Sequence, residues 1–429
     1  MLINYKKNLK YFFLCTFLLQ TQPVFAYLDP GSGSALVAFL ATLLGSIWFS
    51  ILSLFYKVKE SLIPKGKAIS ENDIVFFSEG RAYWSSFRPL IEELIEKKIH
   101  FRYLTLDMYD PALEIDNKYM KSKRLSLKPG SLSRINNIKA KCVVSTTPNI
   151  GTKGFPIKKS PFVKNLIHFF HHIGDVSIYK KNSLDYYDTV ILGGEFQRKS
   201  IEELEVYRGL KQKDLIVLGF PYLDSLSKEK IESTKINPFK KKDKTILVGS
   251  SWGAKGCLRK YGISFINQLA EYGFKVIVRP HPHSLIAELD FIIKCEEQTT
   301  HSNVSWDKSH SPSSSMLYSD ILISDTSSLR FDYAFLYEKP VITLDIPIKS
   351  LSEFEAADLK ESWFTGASKK LGQVVDQTSI SEICVIVEGI LSAQKKSDIK
   401  EFKRNTVHNF GISANAIISY VEKLSKENK

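Results

Sequence analysis

Six residues of this chain are of the types that handle a phosphorylated ligand, and they fall in two short stretches. The first is Arg279-Pro280-His281-Pro282-His283. The second is Ser319-Asp320-Ile321-Leu322-Ile323-Ser324-Asp325-Thr326-Ser327-Ser328-Leu329-Arg330-Phe331-Asp332-Tyr333. The planar guanidinium of Arg279 suits phosphate oxygens, because it donates two parallel hydrogen bonds. His281 is stiffened by the proline before it, and a protonated imidazole there would donate to a diphosphate and steady charge on a departing phosphate. Ser327 and Ser328 stand where a helix is expected to begin. Either can cap it, and the free N–H groups of a helix start also attract anions. Asp325 is expected to orient a hydroxyl or a histidine rather than touch phosphate. Asp332, one turn on, is expected to hold Arg330 or the loop.

A second cluster lies upstream, His168-Phe169-Phe170-His171-His172-Ile173-Gly174-Asp175. Five of the nine histidines fall in this cluster and in 279–283. If helical, His168 and His172 would share a face, but no carboxylate or cysteine stands at a matching interval for a metal. A general base is the better assignment, since a neutral imidazole titrates near physiological pH.

The elements that must position these groups alternate strand and helix. Ile74–Phe77, Phe101–Leu106, Lys141–Val144, Thr189–Leu192 and Leu215–Gly219 read as strands of a first half, with a helix over about 83–98. Thr245–Val248, Lys275–Val278, Ile321–Ile323 and Val341–Leu344 read as strands of a second. Helices are expected to about Tyr272, over 284–295 and over 327–337, and 227–243 reads as a polar linker. Short β-branched runs ending at turn residues are buried parallel strands, and ligands of such sheets bind beyond the strands' carboxyl ends. The expected fold is therefore α/β with two doubly wound halves facing a cleft, over 70–226 and 244–425.

Before them, Lys6, Lys7 and Lys10 precede an apolar run, in the manner of a signal segment. The stretch 35–56 has no charged residue and would span roughly 33 Å at about 1.5 Å per residue. Lysines on both outer flanks predict a membrane hairpin within residues 1–60, turning at 27–34. They also put the body of the protein on the cytoplasmic side of the inner membrane.

The net charge of +13 favours an anionic partner. No basic run with interleaved aromatics marks a nucleic-acid groove, so nucleic acid is not expected. The five cysteines are scattered and suggest neither zinc site nor disulfide framework. There is no G-x-x-x-x-G-K-[ST] and no G-x-S-x-G elbow. Neither cofactor nor metal is expected.

At Arg279-Pro280-His281-Pro282, at 319–328 and at Phe331-Asp332-Tyr333, the chain resembles the CDP-glycerol glycerophosphotransferase family of teichoic-acid-type polymer synthesis. Thr326 stands where that family has tyrosine. Gly249-Ser250-Ser251-Trp252-Gly253 is similar to the loop opening its donor domain. The 27–34 link and Ser78-Glu79-Gly80 with Tyr83, Trp84, Phe87 and Pro89 resemble a membrane-anchored branch. The resemblance implies a GT-B-like fold of two Rossmann-like domains. It further implies transfer of glycerol phosphate, or a similar alditol phosphate, from CDP-glycerol or a related CDP-alditol, with release of CMP. The acceptor would be a hydroxyl of a lipid-linked or polymeric glycan of the cell envelope.

It also implies a donor set of Arg279, His283, Ser250, Ser251, Trp252, Asp325, Ser327 and Ser328, with His281 at the diphosphate. A histidine of the first half would activate the acceptor. The family's Trp-His-Gly is replaced here by His171-His172-Ile173-Gly174, which points to His171 or His172 over His168. The competing readings are a nucleotide-sugar glycosyltransferase of the same fold and a non-catalytic membrane-anchored assembly protein.

Overall fold

The computed structural model describes residues 42, 43, 47, 74–127, 135–232, 243–309, 311–346, 352–393 and 397–427. The chain divides into two compact units, Met1–Lys67 and Ala68–Lys429, and both sheets belong to the second. The expected membrane hairpin, including 35–56, lies outside the described residues apart from Thr42, Leu43 and Ile47. Among the described residues no helix is long and apolar enough to cross a membrane.

The first half contains β1 (Ile74–Ser78), α1 (Trp84–Glu96), β2 (Phe101–Thr105), β3 (Met120–Arg124), β4 (Ala140–Ser145), β5 (Val163–Phe169), β6 (Thr189–Leu192), α2 (Arg198–Arg208), β7 (Asp214–Val217) and α3 (Pro221–Glu232). Its seven strands are all parallel, in the order β3-β2-β1-β4-β5-β6-β7. The second half contains β8 (Thr245–Gly249), α4 (Ser264–Glu271), β9 (Lys275–Arg279), α5 (Leu289–Glu297), β10 (Val304–Trp306), α6 (Ser313–Tyr318), β11 (Ile321–Ser324), α7 (Leu329–Tyr337), β12 (Val341–Leu344), β13 (Gly372–Val375), α8 (Ile383–Ser392), α9 (Ser397–Thr406) and α10 (Ser413–Lys426). Its six strands are parallel, in the order β10-β9-β8-β11-β12-β13.

Parallel strands covered on both faces read as unbroken apolar runs, and β1 shows how. Its side chains alternate faces. Ile74 and Phe76 pack with Phe87, Leu90, Ile91 and Leu94 of α1. Val75 and Phe77 face the opposite layer, whose apolar cluster continues into the second half at Leu247, Leu322 and Phe331. Residues 414–424 of α10 pack in the β1–α1 layer, with Ile417, Ile418 and Val421 buried there. The chain's last helix thus lies on the first half, where the sequence placed residues up to 425 with the second. The expected linker is also shorter, because α3 runs to Glu232.

Each sheet reverses its strand order once, between β1 and β4 and between β8 and β11. Such reversals splay the connecting loops apart and open a crevice at the strands' carboxyl ends. The crevices are flanked by Ser78-Glu79-Gly80 and Ser145-Thr146-Thr147 in the first half, and by 250–253 and 325–328 in the second.

Candidate active site

In the second half the β8–β11 crevice is organised by Asp325. Its carboxylate is fully buried and accepts from the Ser251 amide at 2.8 Å, the Ser251 hydroxyl at 2.5 Å, the Cys257 amide at 2.6 Å and the Ser327 amide at 3.1 Å. Asp325 ties the 251–257 loop to the end of β11 and has no free face for a ligand. Ser250 is buried too, with its hydroxyl donating to the Ser251 carbonyl at 2.9 Å and accepting from the Leu258 amide at 3.4 Å, so it also serves the loop.

The two serines differ. Ser327 Oγ accepts from the amide of Leu329, the first residue of α7, at 3.3 Å. The Ser328 hydroxyl is only partly buried and makes no hydrogen bond among the described residues, which leaves it beside the helix start with its donor unused. Arg330, fully buried, does not approach the crevice. Its Nε donates to the Ser327 carbonyl at 2.9 Å and its Nη1 to Thr343 Oγ1 and Ser368 Oγ, at 3.0 and 2.6 Å. Burial lowers its pKa to about 10.

Arg279 is the largest departure from expectation. It is 5% exposed, and its Nη1 donates to Asp307 Oδ2 at 2.7 Å and to Ser309 Oγ at 3.3 Å. The guanidinium is committed to a buried ion pair that fixes the 307–309 turn beside the end of β9. His281, two residues on, accepts the His283 amide at Nδ1, 3.0 Å away. Burial first, and then the nearness of His283 and Arg279, lowers its pKa to about 4. With no anion beside it, the His281 ring is therefore neutral at physiological pH. His283 is exposed, and its ring meets Trp252, half exposed, edge to face at 4.5 Å.

In the first half the histidines are not helical. His168, next to last in β5, is fully buried, with Nε2 3.2 Å from Tyr179 Oη. His171 and His172 come after the strand as a rim loop. His171, partly buried, packs edge-on against Tyr83 at 4.9 Å and lies 4.7 Å from the His172 ring. Burial lowers the pKa of His171 to about 4 and takes those of His168 and His172 well below the ordinary value.

Buried polar atoms without a partner concentrate here. Thr146 Oγ1, His168 Nδ1, His171 Nδ1 and both ring nitrogens of His172 have none. Such groups are costly to leave unpaired, so a polar ligand or water belongs among them. Glu79 faces the same crevice. Burial raises its carboxyl pKa, and burial first, then the Glu79 charge, pushes Tyr83 up to about 12.

The loop after β5 abuts the second half. Asp175 accepts from Ser177 Oγ at 2.5 Å and from the Trp363 amide at 3.1 Å, and Ser177 Oγ lies 2.8 Å from Ser362 Oγ. The Ile173 amide donates to Tyr222 Oη at 3.0 Å, and that hydroxyl donates to Asp332 Oδ1 at 2.6 Å. Asp332 therefore holds neither Arg330 nor its own loop. Further out, Arg208 pairs with Asp185, Glu355 and Asp358. The loop after His172 is thus tied to the second half through Tyr222 and Trp363; His171, His172, Glu79, Thr146 and Thr147 belong to the first half's rim, and Ser328 and His281 to the second's.

Tyr222, Glu79, Thr146 and Thr147 were not among the sequence-derived site residues. Only Glu79 and the threonines had a usable signal, since each directly follows a strand at the sheet's reversal. Among the described residues no cluster of three or more His, Cys, Asp or Glu is arranged to hold a metal ion.

Residues 61–350 match the family described as CDP-glycerol:poly(glycerophosphate) glycerophosphotransferase. Among solved structures the chain is similar to the wall teichoic acid polymerase TagF, with a TM-score of 0.56 and 15% identity over 91% of this chain and 98% of that one. A putative UDP-N-acetylglucosamine 2-epimerase from Listeria monocytogenes is similar with a TM-score of 0.55 and 12% identity, over 84% of this chain and 98% of that one. At these identities the likenesses establish the shared two-domain GT-B-like fold. No curated protein sequence matches the chain.

Proposed function

The chain belongs to the CDP-glycerol:poly(glycerophosphate) glycerophosphotransferase family, and from that premise we propose which residues carry its reaction. The protein is an enzyme that moves glycerol phosphate from CDP-glycerol to an acceptor hydroxyl, releasing CMP. In our reading the diphosphate of the donor occupies the β8–β11 crevice, with the Ser328 hydroxyl donating to one phosphate. His281 donates from Nε2 to the phosphate that leaves with CMP. The single observation that carries this reading is the hydrogen-bonded tie from the residue after His172, through Tyr222, to Asp332 one turn beyond Ser328. One half bears unpaired imidazoles, and the other bears a helix start with an unused hydroxyl.

The transfer is an in-line displacement. The acceptor oxygen bonds to the phosphorus that carries glycerol, the bond from that phosphorus to the CMP oxygen breaks, and the acceptor proton passes to a base. Such chemistry needs positioning and charge stabilisation above all. We assign the base to His171, because it is only partly buried, neutral, and without a hydrogen-bonded partner at its buried Nδ1. His172, wholly buried behind it, backs it. Trp252 and His283 form a half-exposed aromatic edge suited to the nucleotide. Arg279, Asp325, Ser250 and Ser251 shape the pocket rather than line it.

The acceptor in this reading is a lipid-linked or polymeric glycan of the cell envelope, met at the inner membrane by an N-terminally anchored enzyme working on the cytoplasmic side. The lysines flanking the two apolar segments support that orientation, and the net charge of +13 suits a polyanionic product near an anionic surface.

A donor screen tests the reading. Full-length enzyme in native membranes is supplied with CDP-glycerol, CDP-ribitol or nucleotide sugars. CMP release from a CDP-alditol supports it, whereas turnover of a UDP-sugar with none from any CDP-alditol refutes it.

A further inference from the structure

We propose that Tyr222 is a positioning residue for the transfer, its hydroxyl acting as a latch that registers the His171–His172 loop against the helix presenting Ser328. The proposal rests on the assignment of His171 and Ser328 to the reaction.

The geometry is specific. Tyr222 is 4% exposed and its hydroxyl uses its one donor and one acceptor on opposite halves of the molecule. It accepts from the Ile173 amide, the residue after His172, and donates to Asp332, which stands one turn after Ser328 on α7. Residues four apart lie on one face of a helix, so a fix on Asp332 sets the rotation of the turn that carries Ser328. Tyr222 itself lies in the first turn of α3, the last element of the first half before the crossover to β8. Just ahead of it Gly219 takes a φ of +101° and approaches the His408 carbonyl so closely that a Cβ would lie 2.5 Å from it. That close backbone fit holds the start of α3 in place.

The halves do not depend on this hydroxyl for their attachment. On the same helix Glu229 accepts from Ser311 Oγ at 2.8 Å and from Arg88 Nη2 at 3.5 Å, and Lys230 Nζ donates to the Leu336 carbonyl at 2.5 Å. Loss of the Tyr222 hydroxyl therefore leaves the strut in place. It frees only the backbone beside His172 and the turn below Ser328, and the reacting groups then drift relative to each other.

The test compares full-length wild type with Tyr222→Phe, Asp332→Ala and Asp332→Asn. It reads CMP release from CDP-glycerol in native membranes, thermal unfolding, and amide exchange of peptides covering 171–175. Tyr222→Phe and Asp332→Ala are expected to lower kcat by about 10- to 100-fold, as misplacement of reacting groups does, with KM for CDP-glycerol within about twofold. Exchange at 171–175 should quicken in Tyr222→Phe. Asp332→Asn keeps an oxygen for the tyrosine to donate to, and should restore most of the rate.

An unchanged kcat in Tyr222→Phe, a loss confined to KM, or unaltered exchange at 171–175 overturns the proposal. Should Tyr222→Phe fail to fold, the two Asp332 variants decide, and an Asp332→Ala no slower than Asp332→Asn overturns it. If wild type releases no CMP from CDP-glycerol, the substrate reading is what fails, and the exchange measurement still judges the latch.

Discussion

The His281 imidazole accepts the backbone amide of His283 at Nδ1, 3.0 Å away, which leaves the proton of the neutral ring on Nε2. A tautomer fixed in this way offers a donor at one defined point. His281 can thus serve a diphosphate without being charged beforehand. The incoming anion supplies the electrostatic pull that raises its pKa once bound.

The acid limb of the rate profile is set by this burial. His171 and His281 both have folded pKa values of about 4, below their ordinary 6.5, and kcat/KM reports the free enzyme. A profile of CMP release between pH 4 and 8 should stay flat down to about pH 5. A limb centred between 6 and 7 would show that neither group is buried as described. Stability moves in the same direction. Between about 4 and 6.5 the unfolded chain binds more protons at these two histidines, so their contribution to thermal stability should decline as pH falls from 6.5 towards 4.

Ser328→Ala and Asp325→Ala should separate binding from scaffolding. Removing the unpartnered Ser328 hydroxyl is expected to reduce kcat/KM by about 10-fold and to leave the melting temperature unchanged. Removing the Asp325 carboxylate strips four donors of their acceptor and should destabilise the fold by about 3 kcal/mol or more. Urea unfolding beside steady-state kinetics reads both.

Arg279→Ala should unfold more easily, by about 3 kcal/mol, because it leaves Asp307 half-buried without its counter-ion. A variant of unaltered stability with only a raised donor KM would instead make Arg279 a direct phosphate ligand.

Asp332 carries a pKa raised to about 7 by burial, against a single donated bond from Tyr222. A raised folded pKa means that the stability tied to the neutral carboxyl is fully present below 3.8 and is lost as pH rises through 7. Asp332→Asn removes that loss. Its melting temperature should exceed that of wild type at pH 8 and approach it at pH 4.

Much of this was legible in the chain. The apolar runs of β1, β4, β8, β9, β11 and β12 declared themselves because strands buried on both faces are dominated by apolar and β-branched residues. Of the four strands the sequence did not announce, β3, β5, β10 and β13, the first two are of another kind. Met120-Lys121-Ser122-Lys123-Arg124 is a polar edge strand, charged as exposed edges are. In β5, Lys164, Asn165 and His168 broke the apolar signal and left 168–172 open to a helical reading.

Within the site, the residue types at the strand ends marked where a phosphate ligand belongs, but not which groups are free to meet it. Arg279 is taken by Asp307, 28 residues on, and Asp325 by amides up to 74 residues away. The Tyr222 latch joins positions 110 apart. Pairings of that kind depend on how the halves pack, and no local pattern announces them.

The central claim is that the histidine loop of one half and His281 of the other act on a single transfer. Its most direct measurement traces labelled glycerol phosphate from CDP-glycerol onto the membrane acceptor, with wild type beside His171→Ala, His172→Ala and His281→Ala. The account predicts transfer by wild type and a loss of about 100-fold or more in both His171→Ala and His281→Ala. Wild-type transfer by all three variants would contradict it.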